Sequence, residues 1–180
     1  KPDSQDICFI PSGDYKSFLK QRITTVPGDI VELDGTVVGR HEGIEYFTIG
    51  QRRGLGIAEG EPRFVVRLEP ESHRVIVGPK EALLEKELRV SRVNYTLGYA
   101  PDGPVDVNVK IRYKSNEAAA VLYHGGDFGK DSAVIRFQRP QSAVTPGQAA
   151  VFYQGDVLLG GGIIEPSRPG ATKDLPVVTP

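Results

Sequence analysis

"VDVNVKIRY", residues 105–113, alternates apolar and polar side chains without a break. Val105, Val107, Val109, Ile111 and Tyr113 fall on one side, and Asp106, Asn108, Lys110 and Arg112 on the other. A period of two is that of a strand with one face in a core and one in solvent. The neighbouring runs follow suit. "AAAVLYH" (118–124) and "SAVIRFQ" (132–138) flank the turn "GGDFGKD", and "QAAVFYQGDVLLGGGII" (148–164) places two strands around Gly155-Asp156. Short strands with turn signals at this spacing predict a small closed or nearly closed barrel over residues 84–165, because closure removes exposed edges. "VTPGQ" (144–148) fits a type II turn with Pro146 and Gly147 at its centre. The glycines of "LGGGII" (159–164) read as a tight bend or a close backbone approach.

Upstream of the barrel the pattern changes. "KEALLEKEL" (80–88) is at most a short helix, and its charge marks a domain boundary. "RFVVRLEPESHRVIVG" (63–78) predicts a hairpin with Pro70 to His73 in the turn. "DIVELDGTVVG" (29–39) predicts another, with Asp34-Gly35 supplying positive φ. "EYFTIGQRRGLGI" (45–57) reads as a strand from Glu45 to Ile49 followed by a basic, glycine-rich loop. "SGDYKSFLKQRI" (12–23) is a short helix with Asp14 as N-cap, stopped before Pro27-Gly28. The expected fold is mainly β: a small mixed α/β domain over 14–83, an antiparallel barrel over 84–165, and a flexible proline-rich tail over 166–180.

Composition excludes several classes. The chain has 180 residues, 39% hydrophobic and 25% charged, in the ordinary range for a globular protein. No run reaches the ~18 apolar residues of a membrane span, and no signal peptide opens the chain. The formal net charge of −1 gives no whole-molecule pull on nucleic acid, so such binding must rest on local patches. The single cysteine, Cys8, can form no internal disulfide, which fits a reducing cytoplasm. His41, His73 and His124 lack metal-ligand spacing, so no metal site is assigned. Methionine is absent even from position 1, and the sequence reads as a piece of a longer polypeptide.

Three features carry chemistry, each with a plainer reading beside it. Cys8, in "DSQDICFIP" (3–11), reads on its own as core filling among Ile7, Phe9 and Ile10, and acidic Asp3 and Asp6 would oppose thiolate formation. The loop "GQRRGLG" (50–56) sets Gln51, Arg52 and Arg53 among glycines. Guanidinium forks suit phosphate oxygens, yet a solvated hairpin loop fits equally. Lys110 and Arg112, with Lys114 beyond, form a basic ridge ending at Tyr113. A polar outer barrel face explains it, and a phosphate-tracking ridge with a stacking aromatic is the sharper alternative. Gln148 presents an amide that could meet a sugar or base edge.

Taken together and in order, "DSQDICFIP", a GxxxGxHxGxxYFTIGQRRGLGI pattern (Gly35, Gly39, His41, Gly43, Tyr46), "VKIRY" and "AVTPGQAAVFYQGDVLLGGGII" closely resemble the bacterial tRNA-specific 2-thiouridylase family. The resemblance runs to about Glu165 and implies the C-terminal part of such an enzyme, ending in an elongation-factor-like barrel. Residues 1–13 would then close the catalytic domain and carry its cysteine motif. An N-terminal ATP-pyrophosphatase domain of PP-loop type, binding ATP with Mg, would lie outside this chain, which itself holds no cofactor and is expected to be inactive alone. The resemblance reverses the plain reading of Cys8, implying that it carries a persulfide. It implies tRNA contacts at Arg112, Tyr113 and Gln148, with Lys110, Gln51, Arg52 and Arg53 nearby in role. The expected partners are a tRNA anticodon arm and a sulfur-relay donor protein, for a cytoplasmic monomer without membrane contact. The competing expectation is a non-catalytic RNA- or protein-binding barrel of a translation-related protein.

Overall fold

A computed structural model describes residues 15–57, 60–112, 115–125 and 129–166. Cys8, Asp14, Tyr113, Lys114 and the tail from 167 onward lie outside the described residues. The chain divides into two compact units, with the division between Ala82 and Leu83.

The first unit begins with a short helix, α1 (Tyr15–Lys20), closed by a bond from the Arg22 N–H to the Leu19 carbonyl at 2.8 Å. The expected hairpin follows as β1 (Gly28–Glu32) and β2 (Val37–His41). Its turn has a visible cause. Gly35 sits at φ 89°, and the Asp34 carboxylate accepts the Thr36 N–H at 2.9 Å. That bond also lowers the Asp34 pKa. The second hairpin joins β3 (Phe64–Glu69) to β4 (Arg74–Gly78), with His73 at φ 50° in the turn. The four strands form one mixed sheet in the order β2-β1-β4-β3, in which β1 runs parallel to β4. Strand β4 is central, and Val75 to Gly78 are all buried. Ile30, Leu55, Val65, Val75 and Val77 form the core of this unit.

The predicted strand from Glu45 to Ile49 is not one. Ile44–Tyr46 make a single 3-10 turn, and Phe47 donates its N–H back to the Ile44 carbonyl at 3.0 Å. The chain then makes two backbone hydrogen bonds to Val65 of β3. Val65 accepts from the Gly50 N–H at 2.8 Å and donates to the Gln51 carbonyl at 2.9 Å. β-branched and aromatic content suggested a strand, but Tyr46 and Phe47 turn into the core instead.

The second unit is a closed six-stranded barrel. After a 3-10 turn at Lys80–Leu83 come β5 (Leu84–Tyr95), β6 (Val105–Lys110), β7 (Ala118–His124), β8 (Ser132–Ser142), β9 (Ala149–Gln154) and β10 (Val157–Ile164). Around the barrel they lie in the order β10-β5-β8-β7-β6-β9, antiparallel at every seam, with the β9–β10 hairpin closing it. "LEKEL" (84–88) therefore opens a strand and not a helix. Its charges are tolerated because a barrel wall is solvated outside, and Glu87 accepts from Arg136 across the β5–β8 seam at 3.1 Å. The interior is filled by Val90, Val109, Leu122, Ile135, Phe152 and Ile164, each almost wholly shielded from solvent. The three glycines of β10 are explained by close approach. A Cβ on Gly161 would lie 2.8 Å from the Ala150 carbonyl oxygen, and one on Gly162 2.9 Å from that of Ser91.

Candidate RNA-contacting rim and glycine-rich loop

One rim of the barrel gathers residues that are far apart in sequence. Strand β6 pairs with β9 through Asn108↔Tyr153, Val109↔Phe152 and Lys110↔Val151. The chain leaving β6 at Ile111 and Arg112 therefore runs toward the start of β9, where Gln148 stands. Ile111 is buried and Arg112 exposed, as the alternation predicts. The Arg112 guanidinium reaches over the rim and donates to the Ser142 carbonyl at 3.2 Å, at the end of β8. Its backbone closes a small turn, in which the Ser115 hydroxyl donates to the Arg112 carbonyl at 2.8 Å.

Between Ser142 and β9 lies the predicted type II turn. Gly147 has φ 84°, and the Gln148 N–H bonds to the Thr145 carbonyl at 3.3 Å. Bonds from the Gly147 N–H to the Ile164 carbonyl and from the Ile164 N–H to the Gln148 carbonyl tie this turn to β10. The Gln148 backbone is engaged at both its N–H and its carbonyl, while the residue stays exposed. Lys110 sits half-buried on the outer wall just below Arg112. Arg112, Lys110 and Gln148 thus share one end of the barrel. The Tyr113 assignment lies outside the described residues.

The sequence reading missed a distortion on this rim. Glu85 pairs with Gln141 and Glu87 with Arg136, so the single residue Lys86 faces four residues of β8, Phe137 to Pro140. Gln138, Arg139 and Pro140 bulge into solvent. Pro140 inside a strand pattern was the available signal, since proline in a sheet is confined to edges and bulges.

The opposite rim has other chemistry. The Tyr95 hydroxyl bonds to Nδ1 of His124 at 2.9 Å, and burial pushes the Tyr95 phenol up to about 12. Leu97, Tyr99 and Val157 are each more than 60% exposed there.

In the sheet unit, the "GQRRGLG" loop is organised by its own glutamine. The Gln51 side chain accepts the Thr48 N–H at 3.1 Å and donates to the Arg53 carbonyl at 2.9 Å. Gly54 and Gly56 take φ 69° and 71°, and Leu55 between them is buried in the sheet's core. This anchors the loop and leaves Arg52 and Arg53 exposed. Arg52 lines an open depression of ≈480 Å³ with Leu55, Ile57, Glu61 and Arg63. Arg63 is committed elsewhere, to the Glu32 carboxylate at 2.6 Å.

His41, part of the same sequence pattern, is buried behind the hairpin. One ring nitrogen, Nε2, meets the His73 carbonyl at 3.1 Å, and burial lowers the pKa. A neutral ring donating from Nε2 fits both facts. Its ring meets that of Phe47 edge-on at 5.3 Å, bracing the turn that leads into the loop. Among the described residues, no three histidine, cysteine or carboxylate side chains are grouped to hold a metal ion. No described helix is long and apolar enough to cross a membrane.

Known proteins match both units. The sequence model of the tRNA methyl transferase PRC-barrel domain matches residues 16–79, and that of the aminomethyltransferase beta-barrel domain matches residues 85–164. A tRNA-specific 2-thiouridylase MnmA of Roseiflexus sp. (strain RS-1) is 47% identical over 91% of this chain and 44% of its own length. The protein of the same name from Microcystis aeruginosa (strain NIES-843 / IAM M-2473) is 45% identical over 94% of this chain and 47% of its own. The one from Koribacter versatilis (strain Ellin345) is 45% identical over 91% of this chain and 45% of its own. The chain thus spans less than half the length of these relatives. With both units matched and identity at this level along more than nine-tenths of the sequence, the chain belongs to the tRNA-specific 2-thiouridylase family.

Proposed function

We propose that this chain is the sulfur-transfer and tRNA-docking portion of an enzyme that thiolates the wobble uridine of tRNAs for Lys, Glu and Gln. The observation that carries the reading is the convergence of Arg112 and Gln148 on one barrel rim, since both are assigned to tRNA by resemblance and lie 36 positions apart (148 − 112). A guanidinium held at a rim, beside a backbone-anchored glutamine, suits a phosphate and an adjoining sugar or base edge. The net charge of −1 departs from that of a typical RNA-binding chain, so in this reading the phosphate grip is confined to such patches or shared with the domain outside this chain.

In this reading, ATP bound with Mg in a PP-loop domain outside this chain adenylates the uridine 2-carbonyl oxygen and releases pyrophosphate. A persulfide on Cys8, loaded by a sulfur-relay donor protein in the cytoplasm, delivers its outer sulfur to the activated carbon, and AMP departs. A persulfide suits the step because it is a strong nucleophile with a labile S–S bond. A second cysteine in the ATP domain releases that sulfur and is left in a transient disulfide with Cys8. In this reading the ATP site belongs to that other domain, and the present chain alone is expected to be inactive. The test joins the chain to a PP-loop domain and supplies ATP, a sulfur donor and tRNA. Cys8→Ser should abolish 2-thiouridine, detected by mass spectrometry of digested tRNA. Undiminished thiolation would remove Cys8 from the chemistry.

A further inference from the structure

The β8 bulge keeps Phe137 in the barrel core but carries the three residues after it out into solvent. It interrupts the β5–β8 ladder between Glu85↔Gln141 and Glu87↔Arg136, and Gln138, Arg139 and Pro140 add no buried side chain. It is nonetheless held in shape. The Gln141 amide donates to the Arg139 carbonyl at 2.8 Å, Arg112 caps the Ser142 carbonyl at 3.2 Å, and the Ala143 N–H bonds to the Leu83 carbonyl at 3.1 Å. Bulges re-aim side chains at barrel rims and beside functional sites. This one lifts Arg139 above the rim that already carries Arg112 and Gln148, with Lys86 facing it from β5.

Charge points the same way. Among the described residues Lys86, Arg112 and Arg139 take part in no salt bridge, whereas both carboxylates flanking Lys86 are engaged, Glu87 by Arg136 and Glu85 by an interaction of its own. The Arg112 guanidinium, resting on the Ser142 carbonyl, stands at the end of the same strand that carries Arg139 three residues earlier. Two guanidinium groups on one rim can each hold a phosphate of one strand.

We propose that Arg139, presented by the β8 bulge and flanked by Lys86, is a further contact for the RNA sugar–phosphate backbone, extending the rim of Arg112 and Gln148 across the end of the barrel. The inference rests on the tRNA-docking reading of that rim. The test measures affinity of the whole chain for an unmodified tRNA transcript over a range of salt concentrations. Arg112→Ala, Arg139→Ala and Lys86→Ala are compared with Lys130→Ala, which removes a cation beyond the other end of β8. Removing a cation that pairs with one phosphate should weaken binding and reduce the slope of log affinity against log salt by about 0.7–0.9. The proposal expects that reduction for Arg139→Ala and no change for Lys130→Ala. A reduced slope for Arg112→Ala with none for Arg139→Ala overturns the bulge and leaves the rim standing. An equal reduction for Lys130→Ala ascribes the effect to bulk charge and overturns the proposal. Unchanged slopes for both Arg112→Ala and Arg139→Ala, or no binding by the unaltered chain, overturn the rim itself.

Discussion

The two ends of the barrel are made by the same six strands, and they expose different side chains. At one end the backbone departs from the ladder, at the β8 bulge and the Pro146-Gly147 turn, and polar or basic residues stand out from it: Lys86, Arg112, Arg139 and Gln148. At the other end Leu97, Tyr99 and Val157 are exposed, with charges of both signs about them: Asp102, Asp131 and Asp156, and Arg92 and Lys130. The difference teaches where sequence is free. Inward-facing wall positions are fixed by core packing, whereas exposed rim positions are not, and there chemistry can be placed with little disturbance of the fold.

The largest expected effect breaks both ends together. Phe152 is completely buried at mid-barrel, so Phe152→Ala should cost about 3–5 kcal/mol in urea unfolding of the barrel unit. A cost near zero would mean that the walls are not the shared support of the two rims. Gly161→Ala comes next. Its new Cβ meets the Ala150 carbonyl oxygen at 2.8 Å, and the strain should cost about 1–3 kcal/mol by the same measurement. Tyr95→Phe acts on one end alone. It removes the hydroxyl bonded to His124 and should cost about 0.5–1.5 kcal/mol, with tRNA affinity unchanged.

Tyr95 also gives that end a pH signature. Its folded pKa of about 12 stands above the ordinary 10, so the unfolded chain releases the proton first. The contribution is complete below pH 10 and is lost as pH rises from 10 toward 12. Stability measured between pH 9 and 12 (the span of the assay, roughly) should fall for the parent and fall less for Tyr95→Phe. Equal slopes would dismiss the buried phenol as its source.

Much of this was legible because it is local. Strict alternation from Val105 to Ile111 placed Ile111 inside and Arg112 outside, and Asp34-Gly35 and Pro146-Gly147 announced their turns by the φ values they allow. What was not legible depends on distant partners. The parallel pairing of β1 with β4 joins residues 45 positions apart (Ile30 with Val75), and no local pattern encodes it. The Glu45–Ile49 segment has strand composition, yet it opens in a 3-10 turn, and the chain leaving it bonds to β3 through Val65. "LEKEL" has helix-forming residues, and tertiary pairing with β8 overrides them. The rim was half legible. Alternation exposed Arg112, but only the structure hands its guanidinium to Ser142 beside the bulge. Cys8 shows the opposite limit. Its residue type and neighbours favoured burial, and only family resemblance gave it a reaction.

The most direct measurement follows backbone amide resonances of the isotope-labelled chain while an anticodon stem-loop RNA is added. Saturable shifts should gather at Ile111, Arg112 and Ser115 and along Gln138 to Gln148, with Leu97, Tyr99 and Val157 undisturbed. Shifts concentrated at the other end, or no saturable shifts at all, would contradict the assignment of the basic rim to RNA.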